Sequence, residues 1–162
     1  MTLGFWTAQF LTGLASAASL FLVSAGLSLV FGVTRIVNFA HGAFYMVGAY
    51  LAYTLIERFM GESAVAFWLC VLAAAAGVGL LGAAVEILLL RRVYRAPELF
   101  QLLATFAVAL IIDDVLLILY GPAELLAPRV PGLRGGVDIL GQRFPLYDLV
   151  VIGLAPLTLG LL

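Results

Sequence analysis

The sequence predicts an all-α protein, a polytopic bundle of about five transmembrane helices. Hydrophobic residues make up 65% of the 162 positions and charged residues 10%, with a mean hydropathy of +1.20. No soluble core of this size hides so much apolar surface. The apolar residues also fall into long charge-free runs, such as Met1 to Val33 and Ala43 to Ile56. Between those two lies a polar insert, Thr34 to Gly42, which carries Arg35, Asn38 and the single His of the chain, His41. Near lipid such groups must be hydrogen-bonded, buried against protein, or placed at an interface. The insert therefore either shapes a broken helix near residues 34–42 or lines a path.

A helix needs about 20 apolar residues to cross the hydrocarbon core. Ala8 to Val33 meets that length and makes the first span. No basic segment precedes it, and the run is too long for a cleaved signal peptide. Ile36 to Ile56 is the second span, disturbed at its start by Asn38, His41 and Gly42. Glu57 to Ser63 reads as a loop, and Ala64 to Leu90 as the third span. Arg91, Arg92 and Arg95, followed by Pro97, mark a second loop before a fourth span from Glu98 to Tyr120. Gly121 to Pro145 holds four of the six prolines and five of the seventeen glycines, which makes it irregular. Within it, Val137 to Leu140, a Gly141-Gln142 turn and Arg143-Phe144 predict a short external hairpin near 137–144. A fifth apolar run, from Tyr147, reaches sixteen residues with Pro156 inside it. The expectation is a single transmembrane domain over 1–162, the front part of a longer protein.

Orientation follows from the arginines, since all eight basic residues are Arg. Arg91, Arg92 and Arg95 place their loop in the cytoplasm by the positive-inside bias. Alternation then puts Arg35 inside and the N-terminus outside. Arg129, Arg134 and Arg143 fall outside, but they are dispersed and mixed with Glu124 and Asp138. The net charge of −1, without a basic patch, gives no sign of nucleic-acid binding.

Small residues predict how the helices pack. Ser24, Ser28 and Gly32 share one face of the first span, and Gly48 with Ala52 one face of the second. Ala75, Gly79 and Ala83 form a stripe on the third, with Ala73 and Gly77 beside it. Such stripes let helix backbones approach closely where lipid supplies no hydrophobic drive. Ordinary bundle packing is the preferred reading over any role in ligand binding.

Few residues carry candidate chemistry. Asp113 and Asp114 lie within the fourth span, where an unpaired acid costs on the order of 3 kcal/mol near the bilayer centre. Adjacent helical residues point about 100° apart, so one is expected to face the bundle interior. There it either borders a permeation path, or partners a buried Arg or caps a break in the span. Glu86 suits a local salt bridge to Arg91. Asn38 and His41, three apart, share a face if helical. With Gly42, they suit the capping of a discontinuous helix, a reading preferred over direct substrate contact. Cys70, the single cysteine, reads as a small apolar residue. No metal-ligand set, cofactor motif, nucleophile–base pair or phosphate loop occurs, so no enzyme activity is expected.

The segment Phe31-Gly32-Val33-Thr34-Arg35-Ile36-Val37-Asn38-Phe39-Ala40-His41-Gly42-Ala43-Phe44-Tyr45-Met46-Val47-Gly48-Ala49-Tyr50 resembles the hallmark of branched-chain amino acid ABC transporter permeases. Three further stretches resemble the same family in the same order: Glu86 to Gln101 with its Arg-Arg-x-Tyr core, Thr105 to Pro122, and Phe144 to Asp148. The resemblance covers nearly the whole chain. It implies a permease subunit of an ATP-driven importer in the bacterial plasma membrane. The implied partners are a second homologous permease, two cytoplasmic ATPase subunits and an extracytoplasmic substrate-binding protein. It implies leucine, isoleucine and valine as the main substrates. Members of the family are much longer, and the ATPase-contacting loop is expected beyond Leu162. Two other classes stand as alternatives. One is a small secondary transporter or channel using Asp113 and Asp114; the other is a structural membrane subunit without a path.

Overall fold

A computed structural model of the chain describes residues 3–59, 61, 63–123, 125–126, 130, 132–133 and 135–161. It contains α1 (Leu3–Thr34), α2 (Ala40–Phe59), α3 (Ala64–Val85), a π-helical turn (Glu86–Leu90), α4 (Arg91–Val93) and α5 (Glu98–Tyr120). A hairpin of β1 (Gly136–Ile139) and β2 (Gln142–Pro145) follows, and then α6 (Leu146–Leu161). Glu124, Arg129 and Arg134, used above in the orientation argument, lie outside the described residues, as do Met60 and Glu62 of the expected first loop.

Among the described residues, three helices are long and apolar enough to cross a membrane: Leu3–Thr34, Ala64–Val93 and Glu98–Tyr120. Two further helices, α2 and α6, complete the five apolar runs that the sequence marks out. α2 has 20 residues, but His41, four polar or tyrosine positions and Glu57 dilute its apolarity below that of the other three. α6 has 16 residues, short of the about 20 that a perpendicular crossing needs. The helical-bundle class itself is what the structure shows.

The chain divides into two compact units. The larger, Val30–Pro128, is organised around α2, which packs on α3 and on α5. Ile56 and Cys70 are buried at the α2–α3 contact with Ala52, Leu55, Phe67 and Val71 around them. The Cys70 thiol donates to the Leu55 carbonyl at 3.4 Å, so it is the small apolar residue that the sequence implies. On the other side of α2, Thr54 and Tyr120 share a hydroxyl–hydroxyl bond of 2.7 Å, and the Tyr50 and Tyr120 rings stack at 4.5 Å. Gly48 faces α3: a Cβ there would meet Val78 Cγ2 at 3.5 Å.

Sequence accounts for most of the boundaries. Ser63 caps α3, its hydroxyl accepting from the Ala66 amide at 3.3 Å. Pro97 opens α5 with extended backbone, and Gly121 closes it at φ 76 with Pro122 behind. Inside α1, the Thr7 and Thr12 hydroxyls donate to carbonyls four residues back at 3.0 and 2.9 Å, which satisfies them without water. The loop expected at Arg91 to Arg95 is partly helical instead. Arg is a good helix former, so the charges end the apolar run without ending the helix.

The smaller unit comprises Met1–Leu29 and Arg129–Leu162. Its hairpin pairs Val137 with Phe144 and Ile139 with Gln142. The two-residue turn is therefore Leu140-Gly141, one position earlier than the expected Gly141-Gln142. Both residues have positive φ, 51 and 77, the requirement of a type I′ turn. Phe144 is buried and the Leu146 amide donates to the Gly135 carbonyl at 3.1 Å. Gly4 lies so close to the turn that a Cβ would stand 2.5 Å from the Leu140 carbonyl oxygen.

Candidate functional site

The helix interruption expected near residues 34–42 spans Arg35 to Phe39, and each end is tied by side chains. Thr34 bonds back to the Val30 carbonyl at 2.9 Å and accepts from the Ile36 amide at 3.4 Å. Arg35 then adopts φ 56, a left-handed conformation that terminates α1 while its amide still reaches the Phe31 carbonyl at 2.8 Å. Asn38 starts α2: its Oδ1 accepts from the Ala40 amide at 3.0 Å and its carbonyl from the His41 amide at 3.1 Å. Between them, the Phe39 amide donates to the Thr105 hydroxyl of α5 at 3.3 Å, and that hydroxyl donates to the Leu102 carbonyl at 3.0 Å. Thr105 is 2% exposed. The interruption is thus a built junction held against α5.

A cavity of about 60 Å³ opens beside this junction. Thr34, Ile36 and Asn38 form one wall, Glu86 and Tyr94 another, and Gln101 and Thr105 a third. A wider cavity of about 520 Å³ adds Arg35 and Glu98 to the same polar set. A third, of about 260 Å³, lies between Arg35 and Glu98 with Phe31, Val37 and Leu102 as apolar lining. The π-helical turn carries Glu86 to this place. One extra residue per turn shifts the face of a helix, and such turns recur at functional sites.

Glu86 is held from two sides. Arg91 Nε stands 3.8 Å from its Oε1, as the sequence implied, and the Tyr94 hydroxyl donates to its Oε2. Partial burial, and then the hydrogen bond and negative charge of Glu86, push the Tyr94 phenol up to about 12, opposed by Arg91. The Gln101 amide donates to the Tyr94 and Ala96 carbonyls at 3.2 and 2.8 Å, which fixes the segment leading into α5.

The structure sorts the expected site residues. Asn38 lines the small cavity. His41 is half-buried in the first turn of α2. Gly42 is exposed, sits in the first turn of α2 with ordinary helical backbone, and would find nothing within 4 Å of an added Cβ. Asp113 and Asp114 are both exposed on α5, so the expectation that one faces the bundle interior is corrected. The inward face of α5 is taken by Thr105, Val108 and Leu116, and 113 and 114 fall off that stripe. Thr105, Gln101 and Tyr94 join the site without having been singled out, although they belong to the stretches that carry the family resemblance.

The packing stripes also divide. Gly48 meets α3, whereas Ser24, Ser28, Gly32, Ala75, Gly79 and Ala83 are exposed. An added Cβ at Gly32 or Gly79 would meet nothing within 4 Å. Within α3 the buried positions are Cys70 and Ala74, the face turned toward α2. An apolar groove of about 640 Å³ runs between α2, α3 and α5.

Long apolar helices with a polar cavity built at a helix interruption define a multi-pass membrane protein of the helical-bundle class. Residues 9–134 match a family described as branched-chain amino acid transport system, permease component, and the chain belongs to that family. It is similar to the high-affinity branched-chain amino acid transport system permease protein LivH of Salmonella typhimurium strain LT2, with 25% identity over 138 residues. The LivH protein of Escherichia coli K12 is 24% identical over 138 residues, and the BraD permease protein of Pseudomonas aeruginosa PAO1 is 25% identical over 138 residues. Each alignment covers 83% of this chain and 44% of the relative. The chain thus spans less than half the length of these relatives. No solved structure matches it. Membership of this family agrees with the three apolar helices long enough to cross a membrane.

Proposed function

We propose that the chain forms part of the translocation path of a permease subunit in an ATP-driven importer for branched-chain amino acids. Its partners in this reading are a second homologous permease, two cytoplasmic ATPase subunits and an extracytoplasmic binding protein. The observation that carries it is the junction cavity. Three stretches far apart in sequence supply its walls: the hallmark segment through Thr34, Ile36 and Asn38, the next stretch through Glu86, Tyr94 and Gln101, and the α5 stretch through Thr105. These are three of the four stretches that resemble the family, and the cavity is where they meet. By the positive-inside bias of Arg91, Arg92 and Arg95, the cavity lies toward the cytoplasm. A helix interruption held by side-chain bonds suits a part that changes between outward- and inward-facing states, because such bonds exchange without unfolding a helix.

Leucine uptake tests the reading, in a bacterium lacking its own permease and supplied with the whole gene and its partner genes. ATP-dependent uptake that is lost with Asn38→Ala is the expected result. Uptake that follows the proton gradient without any ATPase subunit, and that fails with Asp113→Asn, would instead make the protein a secondary transporter.

A further inference from the structure

The 260 Å³ cavity beside the junction has a composition that the permease reading leaves unused. Arg35 and Glu98 both line it, and both also line the adjoining 520 Å³ space. They carry opposite charges, yet no ion pair joins them, so the Arg35 and Glu98 charged atoms stay more than 4.0 Å apart. Phe31, Val37 and Leu102 supply the rest of its lining. Gln101 adds an amide whose nitrogen is committed to the Tyr94 and Ala96 carbonyls, which turns its carbonyl oxygen into the available group. Arg35 holds its place in a left-handed conformation that Gly adopts without cost and Arg does not. Phe31, Arg35, Val37 and Glu98 are all exposed, so the space is an open groove of about 260 Å³, the size of a small metabolite.

We infer that this cavity is a binding station for a zwitterionic aliphatic amino acid, with Arg35 receiving the carboxylate, Glu98 the ammonium, and Phe31, Val37 and Leu102 the side chain. Opposite charges that share a cavity without neutralising each other complement a ligand that carries both signs at one end. Arg suits a carboxylate because its planar fork matches the two oxygens. The Glu98 carboxylate and the Gln101 carbonyl are acceptors for an ammonium, which has only donors. This inference rests on the importer reading and adds to it the residues of a cytoplasm-side stop on the path.

The test is equilibrium binding of radiolabelled leucine to the intact purified transporter without its binding protein. Arg35→Gln and Glu98→Gln are each expected to weaken binding about tenfold, the effect of losing one charge-assisted hydrogen bond. Arg35→Lys, which keeps the charge and loses the fork, is expected to fall between wild type and Arg35→Gln. Competition assigns the two ends. Isocaproate, which lacks the ammonium, should compete equally well on wild type and Glu98→Gln but poorly on Arg35→Gln. Isoamylamine, which lacks the carboxylate, should show the reverse. Unchanged leucine binding in both variants, equal loss of all three ligands, or no binding by the wild type would each overturn the station. Uptake by the same wild-type preparation, with binding protein and ATP restored, separates the two levels. Import without station binding leaves the permease reading standing, and absence of import removes that reading itself.

Discussion

Arg35, Thr105 and Tyr94 show how single side chains set the junction. Arg35 occupies a backbone region that costs an L-residue about 1–2 kcal/mol, so Arg35→Gly is expected to keep or slightly raise thermal stability in detergent. Arg35→Val, β-branched at the same φ, is expected to lower it. A stability order with Val above Gly would contradict the assigned conformation. Thr105 accepts from Phe39 and donates to Leu102 while 2% exposed. Thr105→Val leaves the Phe39 amide without a partner and is expected to cost about 1–3 kcal/mol, whereas Thr105→Ser keeps both bonds. Denaturation midpoints of the pair read the difference. Tyr94 has its phenol raised from 10.0 to about 12 by burial and Glu86. The folded state therefore keeps a proton that the unfolded state releases first. The stability this supplies is complete below pH 10 and is lost as pH climbs toward 12. Tyrosinate absorbance followed against unfolding should show this dependence in the wild type and lose it in Tyr94→Phe.

Among the elements, α3 separates packing within the chain from packing beyond it. Its Cys70–Ala74 face meets α2, while the Ala75–Gly79–Ala83 stripe is exposed. Gly48→Leu on α2 would drive a large side chain into Val78 and is expected to cost about 1–3 kcal/mol by overpacking. Gly79→Leu has open space and is expected to leave the stability of this chain unchanged. If both lower the melting temperature of the isolated chain alike, the α2–α3 contact is misplaced. The stripes of α1 and α3 were visible in the sequence as small-residue faces, but which face meets a neighbour was not, and these stay exposed. A small residue permits approach on its own face; the partner is set by the other helix. The hairpin teaches a related lesson at shorter range. Its existence followed from turn residues and alternation, yet the register slipped by one, because Leu140 takes a positive φ that β-branched and bulky residues rarely accept.

For the whole molecule, Asp113 and Asp114 pose the clearest question. Both are exposed on a helix apolar enough to cross a membrane, and neither has a hydrogen bond or ion pair among the described residues. Each acid costs on the order of 3 kcal/mol at the bilayer centre if uncompensated. Asp113→Leu and Asp114→Leu are therefore expected to improve insertion of α5 in a glycosylation-mapping assay, and leucine uptake by the proposed importer reads any part they have in transport. Improved insertion with full transport would remove both acids from the path. The candidate site was partly legible beforehand. Asn38 as a helix cap and Glu86 as the partner of Arg91 followed from residue type and spacing, because those interactions are local. Tyr94, Gln101 and Thr105 were not singled out, since a tyrosine, a glutamine and a threonine in apolar runs have no distinguishing pattern of their own.

Composition and charge-free run length determined the class: an apolar helix satisfies its own backbone, so lipid accepts it whatever its neighbours are. The same local reasoning located the helix interruption and the Pro97 and Gly121 limits of α5. Tertiary structure decided the rest. It chose which face of each helix is covered, placed both acids of α5 outward, extended the third helix through a π turn that delivers Glu86, and brought Arg35 and Glu98 to one cavity. These depend on contacts between residues more than sixty positions apart, such as Phe39 with Thr105 and Thr54 with Tyr120. In a chain that is apolar on nearly every face, hydrophobic periodicity carries little information about which face turns inward.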